Sequence, residues 1–167
     1  MKNQFLYLFL FFAFISCSDN VKFNNPAFEG LKDNVFWRAV DSKASIITGG
    51  FLTIEASSKN EVITLKTTAA NPGSYSLGAS TTKMVSYVKK DANGTVTFST
   101  GIGRGNGVIV IEEYDAVNRT VTGTFKFNAV NDNTISSAGP ILNFQHGHFY
   151  KIPIVGSSLI TTLPATP

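Results

Sequence analysis

Cysteine, histidine and charged residues are all scarce in this chain of 167 residues. It contains one cysteine and two histidines, and charged residues make up 15% of it. A single cysteine excludes an intramolecular disulfide, and two histidines supply only two of the three protein ligands of a typical catalytic zinc. The 14 basic and 11 acidic side chains come close to balance, so no basic surplus favours nucleic acid as a partner.

Long apolar runs are also lacking, since the longest one, FLYLFLFFAFI, covers only residues 5–15. A membrane-spanning helix needs about 20 apolar residues, whereas a short run after a basic residue such as Lys2 is typical of a secretory signal peptide. The run ends at Ser16-Cys17 and resembles the lipobox of bacterial lipoproteins. The resemblance implies cleavage between Ser16 and Cys17 and acylation of the Cys17 sulfur, for which a thiolate is the suitable nucleophile.

Acylation of Cys17 would explain an odd cysteine in an exported protein, because it leaves the mature chain without a free thiol. The alternatives are an ordinary secreted protein with an incidental cysteine and an uncleaved membrane anchor. The lipoprotein interpretation predicts that acyl chains hold the protein on a membrane of the cell envelope. We expect the outer membrane, with the choice between its periplasmic and surface faces left open.

The chain divides into four predicted parts, with one folded domain. Residues 1–16 are the signal peptide, and residues 17–33, rich in Asn, Asp, Pro and Gly, are predicted to be the acylated cysteine and a tether. Residues 34–152 are predicted to form a single all-β domain. Residues 153–167 contain Pro153, Pro164 and a Gly-Ser-Ser stretch between them, which predict a flexible C-terminal tail.

The domain shows short alternating runs of Val, Ile, Thr, Phe and Tyr and no helical period. TVTGTFKF at residues 120–127 alternates most clearly, as expected of a strand with one buried face, and Asn93-Gly94 predicts a tight hairpin. We predict an antiparallel β-sandwich or flattened barrel of about nine strands. The nine runs are 36–40, 51–56, 62–67, 75–77, 84–89, 95–99, 108–114, 120–129 and 141–152.

Several of these segments together are similar to a family of Bacteroidota lipoproteins classed only as a domain of unknown function. The similarity rests on GSYSL at 73–77, GVIVI at 107–111, the stretch from Asp115 to Ala129 and Gly147-His148-Phe149. It would cover about residues 25–152. The resemblance implies a β fold and a location in the cell envelope, and it brings no catalytic residue with it.

His146 and His148 are the best candidates for a metal site. Residues two apart on a strand face the same side, so both imidazoles could reach one ion. The third ligand would have to be an unplaced carboxylate from Asp41, Glu55, Glu112 or Glu113. Gly147 between the histidines is also typical of a β-bulge, which would break their shared direction. Two histidines on a half-exposed final strand are the simpler interpretation.

Two further residues are candidates for ligand binding. Trp37 could stack on a sugar, although core packing is the more ordinary role of a tryptophan in a first strand. Arg104 lies in GIGRGNG at residues 101–107, where its charge could contact a ligand from a loop. The glycine spacing does not fit a dinucleotide fingerprint, and a strand rather than a helix follows.

These observations favour a binding or assembly module of the cell envelope, with a protein or glycan as partner and no cofactor. The alternative is a carrier of a small apolar ligand inside a β-barrel, for which Ala39, Ala56, Gly123 and Ala129 would leave room. A metal-dependent hydrolase that uses the final-strand histidines is a third possibility. No catalytic motif occurs in the sequence, so we do not expect an enzyme.

Overall fold

The computed structural model describes residues 26–92, 94–133 and 138–156. These residues form eleven β-strands and no helix, and therefore no helix long and apolar enough to cross a bilayer. The predicted cleavage and acylation site, Ser16 and Cys17, lies outside them. In chain order the strands are β1 (Ala27–Lys32), β2 (Val35–Arg38), β3 (Asp41–Ile46), β4 (Leu52–Ser57), β5 (Glu61–Thr67), β6 (Gly73–Leu77), β7 (Met84–Asp91), β8 (Gly94–Ser99), β9 (Asn106–Asp115), β10 (Thr120–Asn131) and β11 (Ile141–Pro153).

The strands form one antiparallel sheet that curls into a half-barrel. Nine of them follow each other in the order β2-β1-β11-β10-β8-β7-β5-β4-β3, and β9 and β6 branch from β10. The branch arises because β10 is long: residues 120–128 pair with β9, and the last two residues pair with β8. The all-β prediction and the β7–β8 hairpin are confirmed.

The inward face of the sheet is packed with aromatic side chains. In β10, Val121, Gly123, Phe125, Phe127 and Ala129 are buried and alternate with more exposed polar residues, as the period-2 pattern predicts. The rings that meet here have centroids 4.7–6.4 Å apart, within the range of favourable aromatic contacts. They belong to Phe28, Phe125, Phe127, Phe144 and Phe149.

The folded domain extends beyond the predicted limits of 34 and 152 at both ends. The stretch assigned to the tether contains β1, which pairs with β2 on one side and β11 on the other. At the other end, Ile154 is buried and forms a parallel bridge with Ala44 of β3, and the Val155 amide donates to the Ala44 carbonyl at 2.8 Å. The first residues assigned to the tail therefore belong to the domain, and residues 157–167 lie outside the described ranges.

Strands β1 and β3 are not among the nine that the sequence predicts. Their sequences lack a clear alternation of apolar and polar residues. In β3 the inward positions are Ser42 and Ala44, which are small or polar. In β1 the inward position after Phe28 is Gly30. A Cβ atom at Gly30 would lie 2.4 Å from Phe144 Cε1, so close packing against the aromatic cluster requires the glycine that weakens the strand signal.

Candidate functional site

The outer face of the half-barrel carries a row of side chains that crosses six strands. Each member is the direct cross-strand partner of the next, so the row is a consequence of register alone. From β6 to β2 the row consists of Ser74, Val110, Thr124, His148, Glu29 and Arg38. No two neighbours in this row are adjacent in sequence.

An open groove of about 620 Å³ lies on this face, across the middle of β9, β10 and β11. Its size falls within the range of small-molecule sites, about 300–1,000 Å³. Two valines contribute apolar surface, and the remaining exposed side chains can donate hydrogen bonds. The groove is lined by Val108, Val110, Thr124, Phe125, Lys126, Gln145, His146, Gly147 and His148.

A β-bulge in β11 shapes one wall of the groove. Phe125 pairs with Gly147 and Phe127 with Phe144, so two residues of β11 lie opposite the single residue Lys126. His146, one of the two, has a left-handed backbone with φ of 51°. The bulge that Gly147 suggests is therefore confirmed, but it lies at Gln145-His146, so it does not break the shared direction of the two histidines: His146 and His148 are exposed on either side of the buried Gly147. Both remain exposed and line the same groove.

Gly147 is necessary for this arrangement because the aromatic cluster lies directly beneath it. A Cβ atom at this position would come within 2.6 Å of the Phe125 ring. The glycine therefore brings the backbone of β11 against the core and leaves the flanking histidines on the outside.

His148 is held by a carboxylate from β1. Its Nε2 lies 2.9 Å from Oε1 of Glu29, and Nη1 of Arg38 lies 3.1 Å from the other oxygen, Oε2. The arginine contact is an ion pair without hydrogen-bond geometry, since Oε2 is buried and has no hydrogen-bond partner among the described residues. The Glu29 charge is thus flanked by a permanent cation and an imidazole, and Nδ1 is the nitrogen of His148 left for a ligand.

The histidines do not form a metal site with other residues of the described ranges. Within those ranges, no group of three His, Cys, Asp or Glu side chains is placed to hold an ion. Glu29 contacts His148 by a direct hydrogen bond, and no further carboxylate lines the groove beside the two imidazoles. The geometry gives no support to the metal-dependent hydrolase.

Trp37, a predicted ligand contact, lies instead in the core. Its side chain is 6% exposed and packs edge-on against Phe28 and Phe144. The indole Nε1 donates to Oε2 of Glu61 at the start of β5. A buried indole cannot stack on a sugar, so the core-packing alternative is the correct one.

Trp37 is part of a polar cluster at one end of the half-barrel, which we call the Glu61 cluster (Lys32, Trp37, Glu61 and Tyr87). The Tyr87 hydroxyl donates to Glu61 Oε1 at 2.6 Å, and Lys32 Nζ forms an ion pair with the same oxygen and lies 3.1 Å from the tyrosine hydroxyl. Burial alone would raise the pKa of Glu61, but the hydrogen bonds from Lys32, Tyr87 and Trp37 together lower it below 4.5. Burial, reinforced by the Glu61 carboxylate, raises the pKa of Tyr87. The cluster ties β1 and β2 to β5 and β7 and is structural in character.

Arg104 is engaged by the protein itself. Its Nη2 lies 2.6 Å from Oδ1 of Asp132 and 3.1 Å from the carbonyl oxygen of Val130. Gly101 and Arg104 also exchange two backbone hydrogen bonds, and the Gly103 amide donates to the Gly78 carbonyl. The GIGRGNG segment is therefore a turn fastened to the sheet, with its guanidinium directed at Asp132 and the end of β10.

The small inward residues do not open a space in the interior near the aromatic cluster. A Cβ atom at Gly123 would lie 2.0 Å from the Val110 carbonyl oxygen and 2.6 Å from the Phe149 ring. Ala56 and Ala129 are also buried, at 1% and 0% exposure. Gly123 thus permits close packing of β9, β10 and the phenylalanines.

Sequence reasoning found the two histidines of the groove and missed Lys126 and Glu29. Lys126 reads as one polar residue of an alternating strand, and Glu29 lies in a stretch assigned to the tether. Only the pairing of β1, β10 and β11 brings them to the histidines. No local signal in the sequence predicts that pairing.

Comparison with known proteins places the domain in a family. Residues 24–153 match the family described as domain of unknown function DUF6252. No curated protein and no solved structure matches the chain. The matched range begins three residues before β1 and ends with β11, so it agrees with the domain limits of the structure. The chain belongs to this family of domains of unknown function.

Proposed function

We propose that this protein is a lipid-anchored binding module of the cell envelope that receives its ligand or partner in the groove on the outer face of the half-barrel. The observation that carries the proposal is the convergence of three strands on one groove, with a bulge that turns two histidines outward. Bulges are over-represented beside functional sites, where they redirect side chains.

The anchor is supported by the sequence before the domain. A basic start, a short apolar run and Cys17 at its end are the features of a lipoprotein signal peptide. Nine residues separate Cys17 from β1, which is enough chain to lift the domain from a membrane surface. A Bacteroidota origin and placement on the outer membrane are part of this proposal.

The packed interior favours an external site over the carrier alternative. A carrier requires a cavity inside the barrel, whereas phenylalanine rings and close backbone contacts occupy the space between β1, β10 and β11. The groove, by contrast, lies on the solvent side of the same strands. We therefore assign binding to the outer face.

The test is photo-crosslinking of the full chain to its ligand or partner in the cells that produce it. Replacing Thr124 with benzoylphenylalanine places the photoreactive group in the groove. Replacing Thr64 with benzoylphenylalanine places it in a second groove, which lies on the outer faces of β4, β5 and β7. Both threonines are half-buried, so the two variants are matched. We expect an adduct of defined mass from position 124 and none from position 64. Equal labelling at both positions, or none at either, would refute the proposal.

A further inference from the structure

We infer that the groove binds a small ligand that presents a carboxylate next to an apolar body. This inference rests on the proposed function and adds the chemical class of the ligand. It follows from the charge, the hydrogen-bond donors and the apolar surface that the lining residues supply.

Lys126 provides the positive charge of the groove lining. Lys126 lies at the centre of the groove, on β10 opposite the bulge, and carries a permanent positive charge. None of the lining residues is a carboxylate. Among the described residues, no hydrogen bond or ion pair engages the Lys126 ammonium, whereas Lys32, Lys43 and Arg104 each pair with a carboxylate. An anion in the groove would give Lys126 the partner that these other cations have.

The nearest carboxylate does not compete for this position. Glu29 lies on the far side of His148, where Arg38 forms an ion pair with one carboxylate oxygen and His148 Nε2 lies within hydrogen-bond distance of the other. Its contact with His148 Nε2 also limits rotation of the imidazole and leaves Nδ1 for the groove. An anionic ligand therefore meets little repulsion from Glu29.

Further donors surround Lys126 on the β11 side. Gln145 and His146 are the two bulge residues that face it, and His146 has no hydrogen-bond partner among the described residues. A carboxylate has two oxygens with about four acceptor sites, so it can accept from the ammonium and from an imidazole or amide at the same time. A neutral hydroxyl would leave the Lys126 charge without compensation.

The opposite side of the groove is apolar. Val108 and Val110 of β9 are half-buried and present their side chains on the outer face. Three neighbouring strands span about 10 Å, which matches a ligand of one or two sugar rings or a dipeptide. The ligand thus places its carboxylate at Lys126 and an apolar face on the valines.

The carboxylate could belong to a sugar acid or to an acylated amino acid, and calorimetry distinguishes the two. The full chain in detergent is titrated with glucuronate and N-acetylleucine, and with glucose and N-acetylleucinamide as neutral counterparts. We expect one carboxylate to bind, its neutral counterpart to bind at least tenfold more weakly, and the preferred pair to identify the source. Binding of neither carboxylate, or equal binding of a neutral counterpart, would overturn the inference.

Two variants locate the binding. Lys126→Met should lower the affinity for the preferred carboxylate by about tenfold or more, because a charge-assisted hydrogen bond is lost. His146→Asn should lower this affinity several-fold. Asparagine is chosen because it tolerates the left-handed backbone at this position. Lys66→Met removes an equally exposed lysine from the second groove and should leave affinity unchanged. Unchanged affinity in Lys126→Met would refute the site.

The two proposals fail separately. Adducts from position 124 in cells, together with no carboxylate binding in the calorimeter, would retain the groove as the binding site and reject the carboxylate ligand. If Lys126→Met does not change the affinity for the carboxylate and position 124 gives no adduct, both the groove as the binding site and the carboxylate at Lys126 are rejected.

Discussion

The Glu61 cluster provides the sharpest test of how the β1–β2 hairpin is held on the half-barrel. Glu61→Gln keeps the size of the side chain and removes its charge. The carboxylate accepts hydrogen bonds from Lys32, Trp37 and Tyr87. A glutamine has one acceptor oxygen and turns an NH₂ group toward one of these donors, so at least one bond is lost and Lys32 loses its counter-ion.

The expected magnitude lies between the values for exposed and buried ion pairs. The Lys32 and Glu61 side chains are 21% and 14% exposed. Breaking a fully buried pair costs about 3–5 kcal/mol, and an exposed pair contributes about 0–1 kcal/mol. Because this pair is largely but not fully buried, we expect Glu61→Gln to lower the free energy of unfolding by about 2–3 kcal/mol.

The assay is urea unfolding followed by far-UV circular dichroism and by the fluorescence of Trp37, the single tryptophan. Glu55→Gln is the matched control, because Glu55 pairs with Lys43 at 3.4 Å on an exposed surface, with side chains 48% and 56% exposed. The control should change stability by less than about 1 kcal/mol. Both variants should keep the urea dependence of the wild type.

The same pair of variants predicts a pH dependence. Since the pKa of Glu61 is lowered in the folded state from its ordinary 4.5, its contribution is present in full above that pH and is lost as the pH falls through the folded pKa. The stability difference between wild type and Glu61→Gln should therefore shrink as the pH falls below 4.5. A Glu61→Gln effect no larger than that of Glu55→Gln, or one that is constant from pH 7 to pH 3, would refute the reasoning.

Three further predictions concern the bulge, the GIGRGNG turn and the anchor. Gly147→Ala should lower the free energy of unfolding by about 2–3 kcal/mol, because the alanine Cβ would overlap the Phe125 ring. Thermal unfolding measures this effect, and an unchanged midpoint would contradict the close packing. Arg104→Met should cost about 1 kcal/mol through loss of the Asp132 ion pair, which is 38% exposed on both sides, and Asp132→Asn should add little to it in a double-mutant cycle; additive effects would contradict a direct interaction. Cys17→Ser should abolish lipid labelling and release the protein from membranes, and a variant that still fractionates with membranes at high salt would contradict the lipobox.

Much of the strand content follows from local alternation. Nine runs between residues 36 and 152 have the period that a half-buried strand requires, and each coincides with a strand of the structure. The outward position of His148 and the bulge beside Gly147 also follow from local pattern. They depend on neighbours within a few residues, so a single sequence contains the information.

Strands β1 and β3 are the instructive failures. Their inward positions include Gly30, Ser42 and Ala44, and at Gly30 the Phe144 ring and the backbone of β11 take the space of a side chain. Apolar alternation is weak where the partner rather than the strand itself supplies the apolar surface. The weak signal of β1 is also why the predicted tether contains part of the domain.

By itself, the sequence determined the all-β class and the order of nine of the eleven strands of the described residues. Tertiary structure alone decided the groove and the Glu61 cluster. Glu29 and His148 are 119 residues apart, and Glu61 meets Lys32 and Tyr87 across 29 and 26 residues. Side-chain alternation is a local property, whereas register, bulges and the curl of the sheet result from all the strand pairings together. Those pairings bring distant side chains into one row on the outer face.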